Sequence, residues 1–394
     1  MRGTIKKRAR NSWTLWWDEP RGADGKRRQR NKTVTGPKRV AEAELRSILA
    51  ELDAGSYVPP NKVTVKDLLE RWLSEYVDVQ VRPKTAEGYR MMCELHIVPA
   101  LGILNLDELH PSHVIRYQNT ALVNGRRNGH GGLSAQTVKH HHRVLSQALE
   151  YGIGQGLLSR NVCKQVRAPK PAHREMNVLT VEEIARLFET ALETPYFHLI
   201  HLALYTGLRR SELLGLRWKD TDFVSSVLHV TQGLHMLSNK TPVFAPPKTA
   251  KSRRSVALSP DAIGVLQQHY NQRKAVCESL GITVSGDDLV FGDVYGSPLS
   301  PNTVSHAFRD ICKKAEIDGI RFHDLRHTHA TMLMKQGINP KVVQERLGHS
   351  SISVTLDIYS HVVPGMQELA ALQLDEALKA NVRPLVLKGL VASI

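Results

Sequence analysis

The sequence predicts a multidomain protein that is mostly α-helical and contains small β elements. Its 394 residues are enough for two or three domains with hydrophobic cores. Short strand patterns occur near the N-terminus and in the second half, and amphipathic helical patterns fill most of the remainder. We therefore predict a small β-sheet with one helix over residues 1–60, a helical bundle over residues 61–170 and a mixed α/β domain over residues 175–394.

The first 60 residues have the pattern of a small sheet followed by a helix. Residues Ser12 to Trp17 predict a strand, Asp24-Gly25 a turn, and Arg28 to Val34 a second strand. A helix is expected from Lys38 to Asp53, and Gly55 is placed to end it. Three tryptophans and a well-bounded helix favour a folded module over a disordered basic tail.

The charge distribution indicates a polyanionic partner. The formal net charge is +15, and the first 40 residues hold thirteen Lys/Arg against three Asp/Glu, which accounts for +10 of it. Nucleic acid is favoured over a membrane because the sequence has no run of 18 apolar residues, no amphipathic anchor and no signal-peptide core. We expect a cytoplasmic protein that is nucleoid-associated when bound to DNA. The four cysteines are scattered, as is typical of reduced thiols.

The segment from 61 to 170 is predicted to be helical. Thr64-x-x-Asp67 has the spacing of a capping box. Further helices are expected from Lys84 to His96, ending before Pro99, from Pro111 to Leu122, and from Ser134 to Tyr151. The first helix has an apolar stripe, formed by Leu68, Leu69, Trp72, Leu73 and Tyr76.

Two features of this segment are not part of the helical pattern. Residues 124–133 are rich in glycine and basic residues, and we expect them to form a surface loop. His140-His-His142 could suggest a metal site. Successive residues of a helix point in different directions, so one ion could not easily collect all three rings, and no metal site is predicted.

Proline-containing linkers at Pro59-Pro60 and Ala168-Pro-Lys-Pro-Ala172 separate the predicted domains. In the last domain, Thr180-x-x-Glu183 predicts a capping box, and a mostly apolar helix is expected from Phe197 to Tyr205. The remaining expected elements are strands at 227–230, 243–245 and 256–258, helices starting at Ser259-Pro260 and Ser300-Pro301, and a helix over 367–380.

Three short stretches of the last domain contain residue types that suit a phosphodiester. In His323-x-x-Arg326, a guanidinium offers a planar fork of donors, and an imidazole can donate or move a proton. In Leu347-Gly348-His349, the glycine permits a tight turn that would aim the histidine at the same phosphate. Tyr359 supplies a hydroxyl that could attack phosphorus.

An upstream motif completes a resemblance to a known family. Thr206-Gly-Leu-Arg209-Arg-Ser-Glu212 resembles the first box, T-G-x-R-x-S-E, of the tyrosine recombinase (phage integrase) family, and residues 323–359 resemble the second. The resemblance is close over the C-terminal half and loose over the N-terminal half. It implies that the scissile phosphate is bound by four residues and attacked by Tyr359, the four being Arg209, His323, Arg326 and His349.

The family resemblance also implies a lysine on the hairpin between strands 243–245 and 256–258, which protonates the leaving oxygen. Lys248 matches by position, with Lys251 as the alternative. Glu212 would buttress Arg209. The three domains would be an arm-site-binding module, a SAM-like core-binding bundle and a tyrosine-recombinase catalytic domain.

The activity implied is site-specific recombination through a 3′-phosphotyrosyl intermediate, which integrates or excises a phage or other mobile element without cofactor, metal or ATP. The expected partners are double-stranded DNA at core and arm-type sites, three further copies of the chain in a homo-tetramer on synapsed DNA, and, as a candidate, a DNA-bending accessory protein.

Three alternative functions stay open. A metal-dependent nuclease would need convergent carboxylates, a type IB topoisomerase would not need the arm module, and an inactive DNA-binding protein should lack one of the five matched residues.

Overall fold

A computed structural model of the chain describes residues 3–19, 28–54, 57, 62–172, 176–247, 253–359, 371–376 and 378. The chain divides into two compact units, Met1–His173 and Arg174–Ile394. The first unit contains two separate hydrophobic clusters, one near the N-terminus and one in the helical segment. The predicted three-domain division, with boundaries near residues 60 and 170, stays a prediction.

A three-stranded antiparallel sheet and one helix open the first unit. The central strand β2 (Ser12–Glu19) pairs with β1 (Thr4–Ala9) and β3 (Arg28–Thr35), and α1 (Lys38–Asp53) follows. The predicted helix and both predicted strands are confirmed. Strand β1 was not predicted, because its run of charged residues hides the period of two. The predicted turn at 24–25 and the helix stop at 55 lie outside the described residues.

The rest of the first unit is helical, as predicted. The capping box is confirmed, since Thr64 N–H donates to Oδ2 of Asp67 at 2.8 Å and Asp67 N–H donates to Oγ1 of Thr64 at 3.1 Å. The helices in this part of the described chain are α2 (Val65–Trp72), α3 (Asp78–Gln80), α4 (Pro83–Met92), α5 (Val98–Leu101), α6 (Pro111–Asn124) and α7 (Ala135–Gly154).

Two predictions for this helical segment are wrong. Helical structure does not end before Pro99, because a π-helical turn (Cys93–Ile97) leads into α5. The proline occupies the first turn of α5, where a residue without a backbone N–H is tolerated. Tyr76 does not share the buried stripe and is 46% exposed. It lies in a second π-helical turn (Leu73–Val77), whose wider spacing changes the phase of the helix.

The three consecutive histidines of α7 take different partners. His140 bonds Gln136, His141 bonds the hydroxyl of Tyr117 at 2.8 Å, and His142 bonds Gln118 at 2.9 Å. The loop at 124–133 is largely exposed, as predicted. The four cysteines, predicted to be reduced, are free thiols, and all four are buried.

The second unit combines helices with short strands. Its described helices are α8 (Val181–Leu192), α9 (Phe197–Thr206), α10 (Arg210–Leu214), α11 (Pro260–Ser279), α12 (Pro301–Lys314), α13 (Asp324–Lys335), α14 (Pro340–Leu347) and α15 (Ile352–Tyr359). Its described strands are β4 (Thr221–Asp222), β5 (Val227–Val230), β6 (Gly233–Met236), β7 (Pro242–Ala245) and β8 (Arg254–Ala257). Residues 371–376 of the last predicted helix are helical, and most of its remainder lies outside the described residues.

The strands of the second unit form two small antiparallel sheets, ordered β4-β5-β8 and β6-β7 in the described residues. The expected hairpin between β7 and β8 is therefore wrong as a strand pair. The unpredicted strand β6 takes β7 as its partner through a tight turn, in which Lys240 has a φ of 65°. Strand β8 pairs instead with β5.

A large apolar cluster joins the helices and the three-stranded sheet of this unit. It includes Leu187 of α8, Leu199 and Ile200 of α9, Leu228 of β5 and Phe308 of α12, all almost fully buried. This core holds the ends of α9, α10 and α13 in fixed positions, and those ends carry the predicted site residues. Among the helices that the structure describes, none is both long and apolar enough to cross a bilayer.

Candidate active site

The first site motif begins where α9 ends. Gly207 terminates the helix in the left-handed conformation, with a φ of 65°. A Cβ added at this position would lie 2.7 Å from side-chain atoms of both His329 and Leu347. The sharp turn therefore requires glycine on two grounds, and it directs the chain into Arg209 at the start of α10.

Arg209 and Glu212 form an ion pair across the first turn of α10. Arg209 Nη1 donates to Oε1 of Glu212 at 2.7 Å, and the Arg209 backbone N–H donates to Oε2 at 2.9 Å. The predicted contact is confirmed. The Glu212 side chain is 7% exposed, whereas that of Arg209 is 35% exposed. The carboxylate is thus enclosed, and part of the guanidinium stays accessible to an anion.

Arg326, on α13, joins the two predicted boxes. It is buried, and its Nη1 donates to the carbonyl oxygen of Gly207 while its Nη2 donates to that of Leu347, both at 2.7 Å. A buried guanidinium is stable only when its donors are paired, and two turn carbonyls provide part of that pairing. Arg209 Nη2 reaches the next carbonyl, Gly348, at 3.3 Å. Both arginines therefore meet at the turn after α14.

His323 lies immediately before α13. Its ring centroid is 4.9 Å from that of His327, with the two planes nearly perpendicular. Although His323 keeps solvent access, desolvation by the surrounding protein, helped by the neighbouring His327 and Arg326 charges, lowers its pKa to about 4. The imidazole is therefore neutral at pH 7 and able to accept a proton.

His349 follows the left-handed turn at Gly348, which has a φ of 66° as the sequence predicted for a tight turn. The ring is buried, and its Nδ1 lies 2.8 Å from the hydroxyl oxygen of Thr355 on α15. Burial lowers the pKa of His349 to about 3, and the charges of Arg326 and Arg209 act in the same direction. Both arginines donate to carbonyls of the Leu347-Gly348 turn, immediately before His349, so the imidazole lies beside them.

Three predicted residues lie partly or wholly outside the described part of the chain. Tyr359 is the last residue of α15, the helix that Thr355 connects to His349, but its side chain lies outside the described residues. Lys248 and Lys251 belong to 248–252, which also lies outside them. Their roles stay predictions.

Two further arginines contact the site, and neither was predicted from the sequence. Arg254 binds Glu212, with Nη2 to Oε2 at 2.9 Å. Arg346 uses Nε to donate to Nε2 of His329 at 3.1 Å, and its Nη groups donate to backbone carbonyls at the ends of α9 and β8. A period-two reading could have placed Arg254 on the same strand face as the buried Val256, which would have indicated an inward-facing arginine.

The electrostatics suit an oxyanion. Burial alone would raise the pKa of Glu212, but the hydrogen bond and charge of Arg254, followed by those of Arg209, lower it to about 2. The carboxylate therefore stays ionised while it orients two guanidiniums. Donors held in advance around a phosphate stabilise the charge that develops when one of its bonds is exchanged.

Comparisons with known proteins identify a family. The sequence profile of the phage integrase family matches residues 177–365, and that of the phage integrase N-terminal SAM-like domain matches residues 64–122. A tyrosine recombinase XerC-like protein of Caldanaerobacter subterraneus subsp. tengcongensis is 29% identical over 346 residues, which cover 83% of this chain and 86% of that protein. An integrase of Streptomyces ambofaciens is 25% identical, covering 95% and 98%.

The fold is also that of solved integrases. A Tn1549 transposon integrase in complex with circular intermediate DNA is similar with a TM-score of 0.64 and 23% identity, over 79% of this chain and 99% of that one. A lambda integrase, solved as a tetramer bound to a Holliday junction, gives a TM-score of 0.55 and 22% identity over 89% and 96%. Fold, motifs and relatives together define the class of site-specific DNA recombinases that use a tyrosine. The chain belongs to the phage integrase family.

Proposed function

We propose that this chain recombines DNA through a 3′-phosphotyrosyl intermediate, with Tyr359 as the nucleophile. The observation that carries the proposal is the junction made by Arg326, which binds the Gly207 and Leu347 carbonyls. Arg209, Arg326 and His349 lie around these carbonyls, and Arg209 comes more than a hundred residues before the other two in the sequence. Such a cluster of donors fits a phosphate of the DNA backbone.

The proposed phosphate ligands are Arg209, His323, Arg326 and His349. Arg209 has the most suitable exposure among the arginines described above, because a third of its side chain is open while Glu212 fixes its position. Each donor aimed at the developing charge is worth about 3 kcal/mol in the transition state, which is roughly a hundredfold in rate.

In the proposed cleavage step, the oxygen of Tyr359 attacks phosphorus and its proton passes to neutral His323. The bond between phosphorus and the 5′ oxygen breaks, and Lys248 protonates that oxygen. One phosphodiester is thereby replaced by another, a 3′-phosphotyrosyl bond. A 5′ hydroxyl of a second DNA duplex then attacks the intermediate and releases Tyr359. Because the number of phosphodiester bonds is conserved, the reaction needs no ATP.

The proposed partner is double-stranded DNA at a core site, with four copies of the chain assembled on two synapsed duplexes. Support comes from the relatives, since the similar lambda integrase was solved as a tetramer on a Holliday junction and the Tn1549 integrase on circular intermediate DNA. A DNA-bending accessory protein is a further proposed partner. The proposed division of labour is an arm-type module at 1–60, a core-binding domain at 61–170 and a catalytic domain at 175–394.

The N-terminal sheet supports the proposal of a second DNA site. One face buries Leu15 and Trp17 of β2 against α1. By strand alternation, the other face carries Thr14, Trp16 and Asp18, opposite a set of polar and basic neighbours on β1 and β3: Thr4, Lys6, Gln29, Asn31 and Thr33. Hydroxyl, amide and ammonium groups on an open sheet face are suited to the edges of bases in a groove.

Only one of the three tryptophans belongs to that open face. The other two, Trp13 and Trp17, pack in the core with α1 and do not reach a DNA groove from this face. Trp13 also donates from its indole N–H to the carbonyl of Gly36 at 3.1 Å. Trp16 is therefore the tryptophan left to contact DNA.

A strand-exchange experiment tests the proposal. Sequencing the DNA on both sides of the gene should reveal a core repeated at the boundaries of a mobile element. Two duplexes that carry this core, each with a different label, are then incubated with the full chain. We expect products that carry both labels. Relaxation of supercoiled plasmid without joined products would indicate a type IB topoisomerase-like enzyme, and binding without products would indicate an inactive DNA-binding protein.

A further inference from the structure

Arg254, at the start of β8, occupies the centre of the contacts that build the site. Its side chain is 6% exposed. Nη1 and Nη2 donate to Oε1 and Oε2 of Glu212 at 3.2 and 2.9 Å, a two-point contact that only a guanidinium can make. Nε donates to the carbonyl of Arg346 at 2.7 Å. Arg254 thus connects the first turn of α10 to the last turn of α14.

The backbone after Arg346 supplies the carbonyls that the proposed phosphate ligands use. Leu347 accepts from Arg326, and Gly348 accepts from Arg209. Gly348 also packs directly on the guanidinium, because a Cβ added there would lie 3.0 Å from Arg254 Nη1. The position of this turn, and of the histidine that follows it, therefore depends on Arg254.

The charge balance gives Arg254 a second effect. An isolated Arg209–Glu212 pair would be formally neutral, which would weaken its attraction for a phosphate. A second guanidinium on the same carboxylate leaves the group of three with a formal charge of +1. The exposed member is Arg209, at 35%, so the excess charge lies next to the accessible side of the site while Arg254 stays enclosed.

We propose that Arg254 is a positioning residue for strand cleavage. It holds Glu212 and the turn after Arg346 so that Arg209 presents a fixed and still cationic guanidinium to the scissile phosphate. The inference rests on the proposed function, because its readout is formation of the phosphotyrosyl bond. It assigns to Arg254 no contact with DNA.

The test compares Arg254→Met and Arg254→Lys with the control Arg309→Met, whose side chain is 69% exposed on α12. Single-turnover cleavage of a nicked suicide substrate and affinity for the same DNA are measured separately. We expect Arg254→Met to slow cleavage about 100-fold and to change the Kd less than about threefold, since it removes an effect realised mainly in the transition state. Arg254→Lys should be intermediate, and the control should match the wild type.

Two further readouts separate positioning from general loss of structure. Because Arg254 acts through Glu212, Arg254→Met combined with Glu212→Gln should cleave no more slowly than the slower single variant. In Arg254→Met, the carboxyl of Glu212 loses a neighbouring cation, so its pKa rises. As the pH is lowered, the cleavage rate of this variant should therefore begin to fall at a higher pH than that of the wild type. If Arg254→Met does not fold, Arg254→Lys is taken through the same cycle.

Two results would overturn the positioning role. One is a double variant whose loss of cleavage rate equals the product of the two single losses, and the other is cleavage by Arg254→Met at the wild-type rate. Failure of the proposed function looks different, because then the wild-type chain itself would form no covalent adduct. A wild-type adduct together with an unaffected Arg254→Met variant would reject the positioning role alone.

Discussion

The hydroxyl oxygen of Thr355 lies 2.8 Å from Nδ1 of His349, and this hydrogen bond joins the Leu-Gly-His turn to the helix that ends at Tyr359. Both residues are buried. Thr355 stands one helical turn before the proposed nucleophile, so the same contact that orients the imidazole also anchors α15. This hydrogen bond is therefore one of the contacts that align the attacking group with the phosphate site.

Thr355→Val should impair this alignment while keeping the side-chain shape. The change leaves a buried ring nitrogen without its partner, which costs about 1–3 kcal/mol. We expect single-turnover cleavage to slow about tenfold or more, with affinity for core DNA retained. The control is Thr190→Val, because that hydroxyl donates to the carbonyl of Arg186 within the exposed face of α8. Cleavage at the wild-type rate by Thr355→Val would show that the bond does not align the site.

The family motifs predicted Arg209, Arg326 and His349 as neighbours, and two of these motifs contain a glycine that their turn requires, Gly207 and Gly348. The sequence also predicted most helices, since apolar periodicity and caps such as Thr64 and Thr180 are local signals. The Arg254–Glu212 contact could not be predicted in this way. Its partners are 42 residues apart, and their meeting depends on which strand pairs with which.

Strand pairing in the second unit also could not be predicted from local sequence patterns. The sequence predicted β7 and β8 but paired them with each other, because the weakly apolar β6 between β5 and β7 was missed. A π-helical turn likewise moved Tyr76 off the face that a period of 3.6 assigns to it. Both errors come from features with no local signal: a tertiary choice of partner in one case and one extra residue in a helical turn in the other.

Lys248→Ala should slow cleavage of ordinary DNA and should be largely rescued when sulfur replaces the bridging 5′ oxygen. A thiolate leaves without protonation, so a general acid becomes unnecessary. Lys251→Ala is the matched control from the same segment, and it should need no rescue. The reverse pattern, in which only Lys251→Ala is rescued, would move the general acid by three positions.

Trp16→Ala should abolish protection of arm-type DNA while leaving core cleavage intact. Its indole belongs to the open face of the N-terminal sheet, whereas that of Trp17 is 3% exposed in the core with α1. Trp17→Ala should instead destabilise the module, by about 3–5 kcal/mol. Footprinting and thermal melting distinguish the two variants.

Deleting residues 1–60 removes the whole N-terminal module and so complements the single substitution at Trp16. It should preserve cleavage of a core suicide substrate and abolish recombination between full attachment sites. The binding that it removes should fall steeply with salt, because the segment's basic residues displace counterions from the phosphates. If the full chain protects only the core, and the deletion weakens that protection uniformly, the segment is a non-specific basic arm.

Stability without DNA should fall as the pH is lowered from 7 to 5. Burial, with the charge of Arg346, lowers the pKa of His329 from 6.5 to about 3. The unfolded chain therefore binds a proton in this interval that the folded chain does not, so the free energy of unfolding decreases with falling pH. The titration of His329 alone should lower the free energy of unfolding by about 2 kcal/mol between pH 7 and pH 5.

Comparison with His329→Gln isolates that contribution. Urea unfolding of both chains at pH 7 and pH 5 should show the wild type losing about 2 kcal/mol relative to the variant. The variant keeps a hydrogen-bonding side chain near Arg346 but cannot titrate. A stability difference that is the same at both pH values would contradict the lowered pKa.

The most direct test of the central claim is to identify the residue that becomes linked to DNA. The wild-type chain is trapped on a nicked core suicide substrate in the presence of EDTA, and the adduct is digested and analysed by mass spectrometry. We predict that the peptide containing Tyr359 carries a 3′-linked nucleotide, and that Tyr359→Phe binds the same DNA but forms no adduct on a denaturing gel. A nucleotide on another residue, an adduct that survives in Tyr359→Phe, or loss of the wild-type adduct in EDTA would contradict the mechanism.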